Sequence, residues 1–264
     1  MTIKDPRELR HTQANQLVRD VVLSRIGPSG GLVAQTVSRL GEAVNLGIFP
    51  VGERLPAESD LAEQLGISAM TLREALAIMR EAGYLETRRG RMGGTYINPD
   101  ALSMTERGRS AGTPEISQEL LCDLTDYRIA IAAHSAALAA DRATPDEIDE
   151  LRGLIEQIEK AESFAEFRKA DASFHVMISS CTRSARLVKA EADLQSEISP
   201  LARGAFNVGP HWRHTTNTEH AEILAAIELG APDLARERMT DHMYSTYAAV
   251  EGFLKADAAA RRHS

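Results

Sequence analysis

Asp171 and His175 stand four residues apart, a spacing that on a helix turns both side chains to one face, where a carboxylate oxygen and an imidazole nitrogen can share one ion. Five of the eight histidines fall between Asp171 and His242: His175, His211, His214, His220 and His242. His220 shares its stretch with Ile223, Leu224 and Ile227, and His242 shares its own with Met239, Met243 and Tyr247. A lone Asp/His pair is often a surface coincidence, and a histidine on an apolar helix face is often a hydrogen-bonded core residue. Four such residues in one region are harder to assign to chance. Together they could ligate a divalent ion, because imidazole suits zinc, nickel, iron or manganese and a carboxylate admits several of them. Zinc is the first expectation, with nickel, manganese or iron as alternatives.

A second constellation is cationic. Arg88, Arg89 and Arg91 cluster on the turn Arg89-Gly90-Arg91-Met92-Gly93-Gly94, between two stretches, Tyr84 to Arg88 and Thr95 to Ile97, that can pair as strands. Upstream, Glu58 to Leu65 places Leu61, Ala62 and Leu65 on one side and stops at Gly66. Ser68 then occupies an N-cap position, and Leu72, Ala75, Leu76 and Met79 form the apolar face of a further helix ending at Gly83. Two short helices joined by Gly-Ile-Ser have helix-turn-helix spacing, and the hairpin that follows reads as a wing. In such an arrangement the first residues of the second helix, here Ser68, Ala69, Met70, Thr71 and Arg73, face base edges in the major groove. The wing arginines can approach a phosphate or a minor groove. A helix pair buried in an ordinary core and a solvated arginine run are the alternatives.

The elements that position these groups follow from composition and periodicity. The chain has 264 residues, 43% hydrophobic, 26% charged and only 5% aromatic, which favours a mainly helical protein with room for two domains. Its net charge of −8 is unevenly spread: residues 1 to 110 carry 14 Lys/Arg against 13 Asp/Glu, and residues 111 to 264 carry 16 against 25. Phosphate contacts therefore belong to the front half. Val33, Val37, Leu40 and Val44 give that half its first helix.

Asn98 to Pro114, with its prolines, glycines and small polar residues, reads as a linker. Gly27-Pro28-Ser29-Gly30-Gly31 sets apart an extension holding one short helix through Leu17 to Ile26. The expected division is an extension over 1–31, a winged helix over 32–98, a linker over 99–114 and a helical domain over 115–256. Helices are expected over 115–142, 145–161, 163–181, 184–207, 212–229 and 232–256, with Thr144-Pro145-Asp146-Glu147 as a capping box. This predicts a helical bundle. Cys122 and Cys181 are too few for a disulfide framework and read as buried thiols. The first thirty residues lack a signal-peptide core and no later stretch reaches the roughly 20 apolar residues of a membrane span, so a cytoplasmic address without membrane contact is expected.

The stretch Gly47-Ile-Phe-Pro-Val-Gly-Glu-Arg-Leu-Pro-Ala-Glu-Ser-Asp-Leu-Ala-Glu-Gln-Leu-Gly-Ile-Ser, followed by Thr71-Leu-Arg-Glu-Ala-Leu and Gly83-Tyr-Leu, resembles the winged helix of GntR-type bacterial repressors. The resemblance implies that Arg54, Ser68, Met70, Thr71, Arg73, Arg89, Gly90 and Arg91 meet double-stranded operator DNA. It departs at Ser59 and Ala69, where the family commonly carries arginine, which implies a different base readout. Asp171, His175, His220 and His242 resemble the metal-site pattern of the FadR-type ligand-binding domain that follows many such winged helices. That resemblance implies a divalent metal with positions open to a small organic-acid effector. It also implies that Arg128 reaches toward the acid, with Arg203 a weaker candidate. The alternative for Arg128 is a surface ion pair with Asp123 or Asp126. Related domains often carry a glutamate where this chain has Ala132, so His134 is expected to contribute to an altered pocket. His211 and His214 are expected at the surface.

The expected protein is a homodimeric repressor whose operator affinity answers to an organic acid. Two rivals are a metal-dependent enzyme, with Glu219 or Glu222 as base, and a constitutive repressor with a purely structural metal.

Overall fold

The computed structural model describes residues 17–26, 31–45, 48–49, 51–90, 93–98, 117–206 and 210–261, and its contacts separate residues 15–110 from residues 111–264. The first unit opens with α1 (residues 17–22), followed by α2 (Leu32–Asn45), α3 (Glu58–Leu65), α4 (Ala69–Glu81), β1 (Leu85–Arg88) and β2 (Gly94–Ile97). The face that α2 buries is Thr36, Leu40, Ala43 and Val44, rotated slightly from the expected valine stripe, with Val33 and Val37 half-buried at its edge.

Leu61, Ala62 and Leu65 of α3 meet the core together with Leu72, Ala75, Leu76 and Met79 of α4, the faces that periodicity predicts. Gly66 turns α3 into the connection with a left-handed φ of 66°, and the Ser68 hydroxyl caps α4 by accepting from the Thr71 amide at 3.1 Å. β1 and β2 pair antiparallel, with Leu85 opposite Ile97 at the core end and Arg88 opposite Gly94 at the tip.

The expectation of an independent extension over 1–31 meets a different arrangement within the described residues. Val18, Val21, Val22 and Leu23 are buried, Ile26 N donates to Leu65 O at 2.9 Å, and Arg39 Nη1 donates to Val22 O at 3.0 Å. Residues 17–26 thus pack on the winged helix as part of its core.

The second unit is a bundle of α5 (Gln118–Arg128), a π-helical turn (Ile129–Ala133), α6 (His134–Arg142), α7 (Pro145–Lys160), α8 (Phe164–Cys181), α9 (Ala185–Phe206), α10 (Pro210–Glu228) and α11 (Pro232–Arg261). The single helix expected over 115–142 is therefore interrupted. A π turn satisfies its backbone with bonds one residue longer than those of an α-helix, and no side-chain periodicity announces it. It lies where the small side chains Ala132 and Ala133 are buried and Ile131 packs against Leu194 and Ile198 of α9.

α8 is the central helix, packed against α6, α7 and α9, and it carries Phe167, Phe174, Met177 and Ile178 into a core completed by Ile223 and Ile227 of α10 and Met239 and Met243 of α11. Ser163 with Glu166 and Thr144 with Glu147 form complete capping boxes that set the starts of α8 and α7. Glu147 has a second task. Arg183, at a left-handed φ of 62° just past α8, donates to both its carboxylate oxygens at 2.7 and 2.9 Å, tying the end of α8 to the start of α7. Cys181 is buried as expected, whereas Cys122 is exposed.

Thr144→Ala removes the hydroxyl that caps α7 and should lower unfolding free energy by about 1 kcal/mol. A denaturant midpoint unchanged from wild type would show that the cap does not support the bundle.

Candidate functional site

The expected ligands converge. Asp171 and His175 project from one face of α8, His220 arrives from α10 and His242 from α11, and all four are buried. His242 Nε2 lies 3.3 Å from His220 Nε2 and 3.3 Å from His175 Nε2, and His220 Nε2 lies 3.5 Å from Asp171 Oδ1. One ligand atom from each residue falls within 4.8 Å of all the others. Donors about 2.1 Å from a shared ion are separated by roughly 3.0 Å along an octahedral edge and roughly 3.4 Å along a tetrahedral one, so these separations fit one divalent cation.

The surroundings favour ligation over ordinary core hydrogen bonding. Among the described residues, the buried His175 Nδ1 and His220 Nδ1 have no hydrogen-bond partner, and the Nε2 atoms are aimed at one another. His242 Nδ1 sits 2.8 Å from Glu219 Oε2; donating its proton there leaves the Nε2 lone pair facing the cluster. The Phe174 ring, centred 4.4 Å from that of His220, forms an apolar wall. Burial, and next the field of His242, holds His175 and His220 well below the ordinary histidine value, so both remain neutral donors.

Beside this cluster lies a buried charged group that periodicity alone did not reveal. Arg168 donates through Nη1 to Asp171 Oδ2 and through Nη2 to Gln195 Oε1 at 2.9 Å, while Gln195 Nε2 donates to Glu191 Oε1 at 2.7 Å. The spacings Arg168/Asp171 and Glu191/Gln195, three and four residues on one helix, were the available signals. Glu191 keeps its other oxygen unpartnered, and burial pushes its carboxyl above the usual range.

Arg128, only 7% exposed, has no hydrogen-bond or ion-pair partner among the described residues. Burial lowers its guanidinium to about 10 against the pull of Glu191 and Asp171, so it stays charged. The alternative pairing with Asp123 or Asp126 is overturned: both are exposed, whereas Arg128 turns inward.

His134 does not join this group. It is exposed at the start of α6, beyond the π-helical turn that separates it from the buried Arg128. The side chains of Arg203, His211 and His214 lie outside the described residues, as does Arg91.

In the winged helix, Ser68, Ala69, Met70 and Arg73 are exposed along the start of α4, with Met70 77% exposed. Thr71 is half-buried and shares its hydroxyl with Ser68 at 2.9 Å. Arg73 Nε meets Glu58 Oε2 at 2.8 Å in an exposed ion pair, a contact weak enough to exchange for a phosphate. Arg54 bridges to Tyr96 and crosses Gly94 so closely that a Cβ there would lie 2.5 Å from Nε. Arg88 stacks on the Tyr96 ring at 4.2 Å, and Arg89 is exposed beside Gly90, whose φ of 106° makes the wing tip.

Known families match both units. The model of bacterial regulatory proteins of the gntR family matches residues 32–97, and that of the FCD domain matches residues 123–245. A Mycobacterium gastri protein described as the HTH-type transcriptional regulator RmpR is 36% identical over 212 residues, 78% of this chain and 76% of that protein. This chain belongs to the GntR family and carries an FCD domain. An Escherichia coli K12 protein described as an L-lactate dehydrogenase operon regulatory protein is 31% identical over 232 residues, covering 84% of this chain and 86% of its own. Among solved structures, E. coli McbR/YncC shares the fold, with a TM-score of 0.53 and 20% identity over 84% of this chain and 98% of that one.

This GntR-family regulator is a DNA-binding transcription regulator and not an enzyme. The enzymatic alternative also loses its bases, since Glu219 holds His242 Nδ1 and Glu222 lies at the surface near Arg238. Among the described residues, no helix is long and apolar enough to cross a membrane.

Two outcomes check the site. Glu219→Gln should weaken metal binding by about 10- to 100-fold in a competitive chelator titration, because a neutral amide holds the His242 tautomer less firmly; unchanged affinity would remove Glu219 from the site. Second, as pH falls through about 6.5 the unfolded chain protonates His175 and His220 while the folded protein resists. The stability linked to these two neutral histidines is therefore full above that pH and falls progressively below it, so the denaturant midpoint of the metal-free protein should be lower at about pH 5.5 than at about pH 7.5.

Proposed function

We propose that this regulator is a metabolite-responsive repressor in which Asp171, His175, His220 and His242 hold a divalent metal and Arg128 holds the carboxylate of a small organic acid beside it. The observation that carries this reading is the buried, charged Arg128 guanidinium, which has no acceptor among the described residues and lies close enough to the cluster to act electrostatically on both Asp171 and His175. Its counter-charges, Glu191 and Asp171, act on it without a direct ion pair, and an anionic ligand relieves part of the cost of burying the cation.

The donor set of three imidazoles and one carboxylate suits zinc first, then nickel, manganese or iron. When bound, such an ion supplies a Lewis-acidic centre with positions open to a carboxylate. The protein's own contribution is to neutralise and orient. Arg168 takes one oxygen of Asp171 and leaves the other toward His220, Glu219 fixes the His242 ring, and Phe174 walls one side.

On the DNA side, Ser68, Met70, Thr71 and Arg73 face the major groove while Arg54, Arg89, Gly90 and Arg91 engage the backbone or minor groove. A cytoplasmic homodimer would present two such surfaces to the half-sites of a pseudo-palindrome. The proposed boundaries remain a winged helix over 32–98, a linker over 99–114 and a sensing domain over 115–256. Acid binding that favours one arrangement of the dimer by roughly 1 to 3 kcal/mol changes operator affinity by about 5- to 150-fold.

The test is a titration of small mono- and dicarboxylates into metal-loaded protein on labelled operator DNA. L-Lactate is a natural first choice, given the operon named for the E. coli relative. At least one acid should release the DNA, and Arg128→Ala should abolish that response while retaining metal and operator binding. Tight metal binding with no acid altering DNA affinity would replace this reading with a constitutive repressor built on a structural metal.

A further inference from the structure

Residues 17–26 bring an arginine to the turn that precedes the recognition helix. Ile26 N caps the C-terminal carbonyl of α3 at Leu65, which draws the preceding residue against the turn between the two helices. There the Arg25 stem lies over Gly66: a Cβ on that glycine would sit 3.0 Å from Arg25 Cγ and 3.2 Å from Cδ. The stem is therefore held by packing, while the residue as a whole is exposed. Among the described residues its guanidinium has no hydrogen-bond or ion-pair partner.

Gly66-Ile67-Ser68 leads directly into α4, whose first turn holds no acidic residue. From Ser68 to Leu72 the helix offers no cation, and the first it does offer, Arg73, is paired with Glu58. Arg25 thus places a positive charge over the turn that joins the partially negative C-terminal end of α3 to the start of α4. An exposed cation on a stem packed against that turn, with no carboxylate partner among the described residues, is open to an anion. On a DNA-binding unit whose α4 faces the groove, that anion is a phosphate of the duplex.

We propose that Arg25 is a DNA-phosphate contact, carried by the N-terminal extension and packed over Gly66, that anchors the entry of α4 into the groove. The inference rests on the reading of α4 as the recognition helix.

The experiment measures full-length protein on operator and on scrambled DNA of equal length, by fluorescence anisotropy across a salt series. Arg25→Met keeps an apolar stem over Gly66 but removes the charge, and Arg25→Lys keeps the charge. Arg25→Met should weaken binding to both DNAs by roughly tenfold and flatten the salt dependence by about 0.9 for each lost contact, with thermal stability unchanged. Arg25→Lys should remain close to wild type. Unchanged affinity and slope in Arg25→Met would overturn the proposal, as would an equal loss in both variants, which would mark a packing role. Arg73→Ala reports separately: if it leaves the preference for operator over scrambled DNA intact, the fault lies with the recognition-helix reading, whereas the Arg25 contact stands or falls on the uniform loss in Arg25→Met.

Discussion

The FCD unit is organised around one constraint, that three imidazoles and a carboxylate face one another inside an apolar bundle. Polar groups in such a place destabilise the fold unless each finds a partner or an ion. The chain meets part of that demand with fixed hydrogen bonds, from Arg168 to Asp171 and between His242 and Glu219. These bonds leave three Nε2 atoms facing one another and two Nδ1 atoms without a hydrogen-bond partner among the described residues. Removing the charge of His175 and His220 by burial is what makes the approach possible, since three imidazolium groups could not share that space.

Everything nearby serves that convergence. α8 contributes two ligands and is set at both ends, by a capping box at Ser163 and by the Arg183–Glu147 pair just past its C-terminus. The π turn follows directly on Arg128, interrupting the helix where that side chain turns inward and where Ile131 packs on α9. Arg128 and Arg168 bring two buried positive charges against Asp171 and Glu191, and the latter's raised carboxyl reduces the compensation it can offer. The electrostatic balance of this interior therefore leans toward accepting an anion, which is what a carboxylate sensor requires.

The winged helix is governed by a different logic, because its task is to leave charge exposed. Arg73 is held only by a surface ion pair, Arg89 projects at a glycine-built tip, and Arg25 is packed through its stem alone. None of the three is held by a buried counter-charge among the described residues, so each can give up water or a weak partner for phosphate.

The sequence by itself determined whatever depends on neighbours along the chain. The apolar faces of α3 and α4, the Ser68 and Thr144 caps, the glycine wing and the Asp171/His175 pair all follow from spacings of two to four residues, which local backbone geometry converts directly into shared faces. It could nominate His220 and His242, but their meeting with α8 depends on how three helices pack, and so does the neutral state that burial imposes on His175 and His220. Tertiary structure alone decided that Glu219 orients His242, that Arg128 turns inward rather than toward Asp123 or Asp126, that His134 stays exposed, and that residues 17–26 join the DNA-binding unit. These outcomes are set by contacts between residues distant in sequence, and side-chain periodicity carries no record of which faces of different helices will be pressed together.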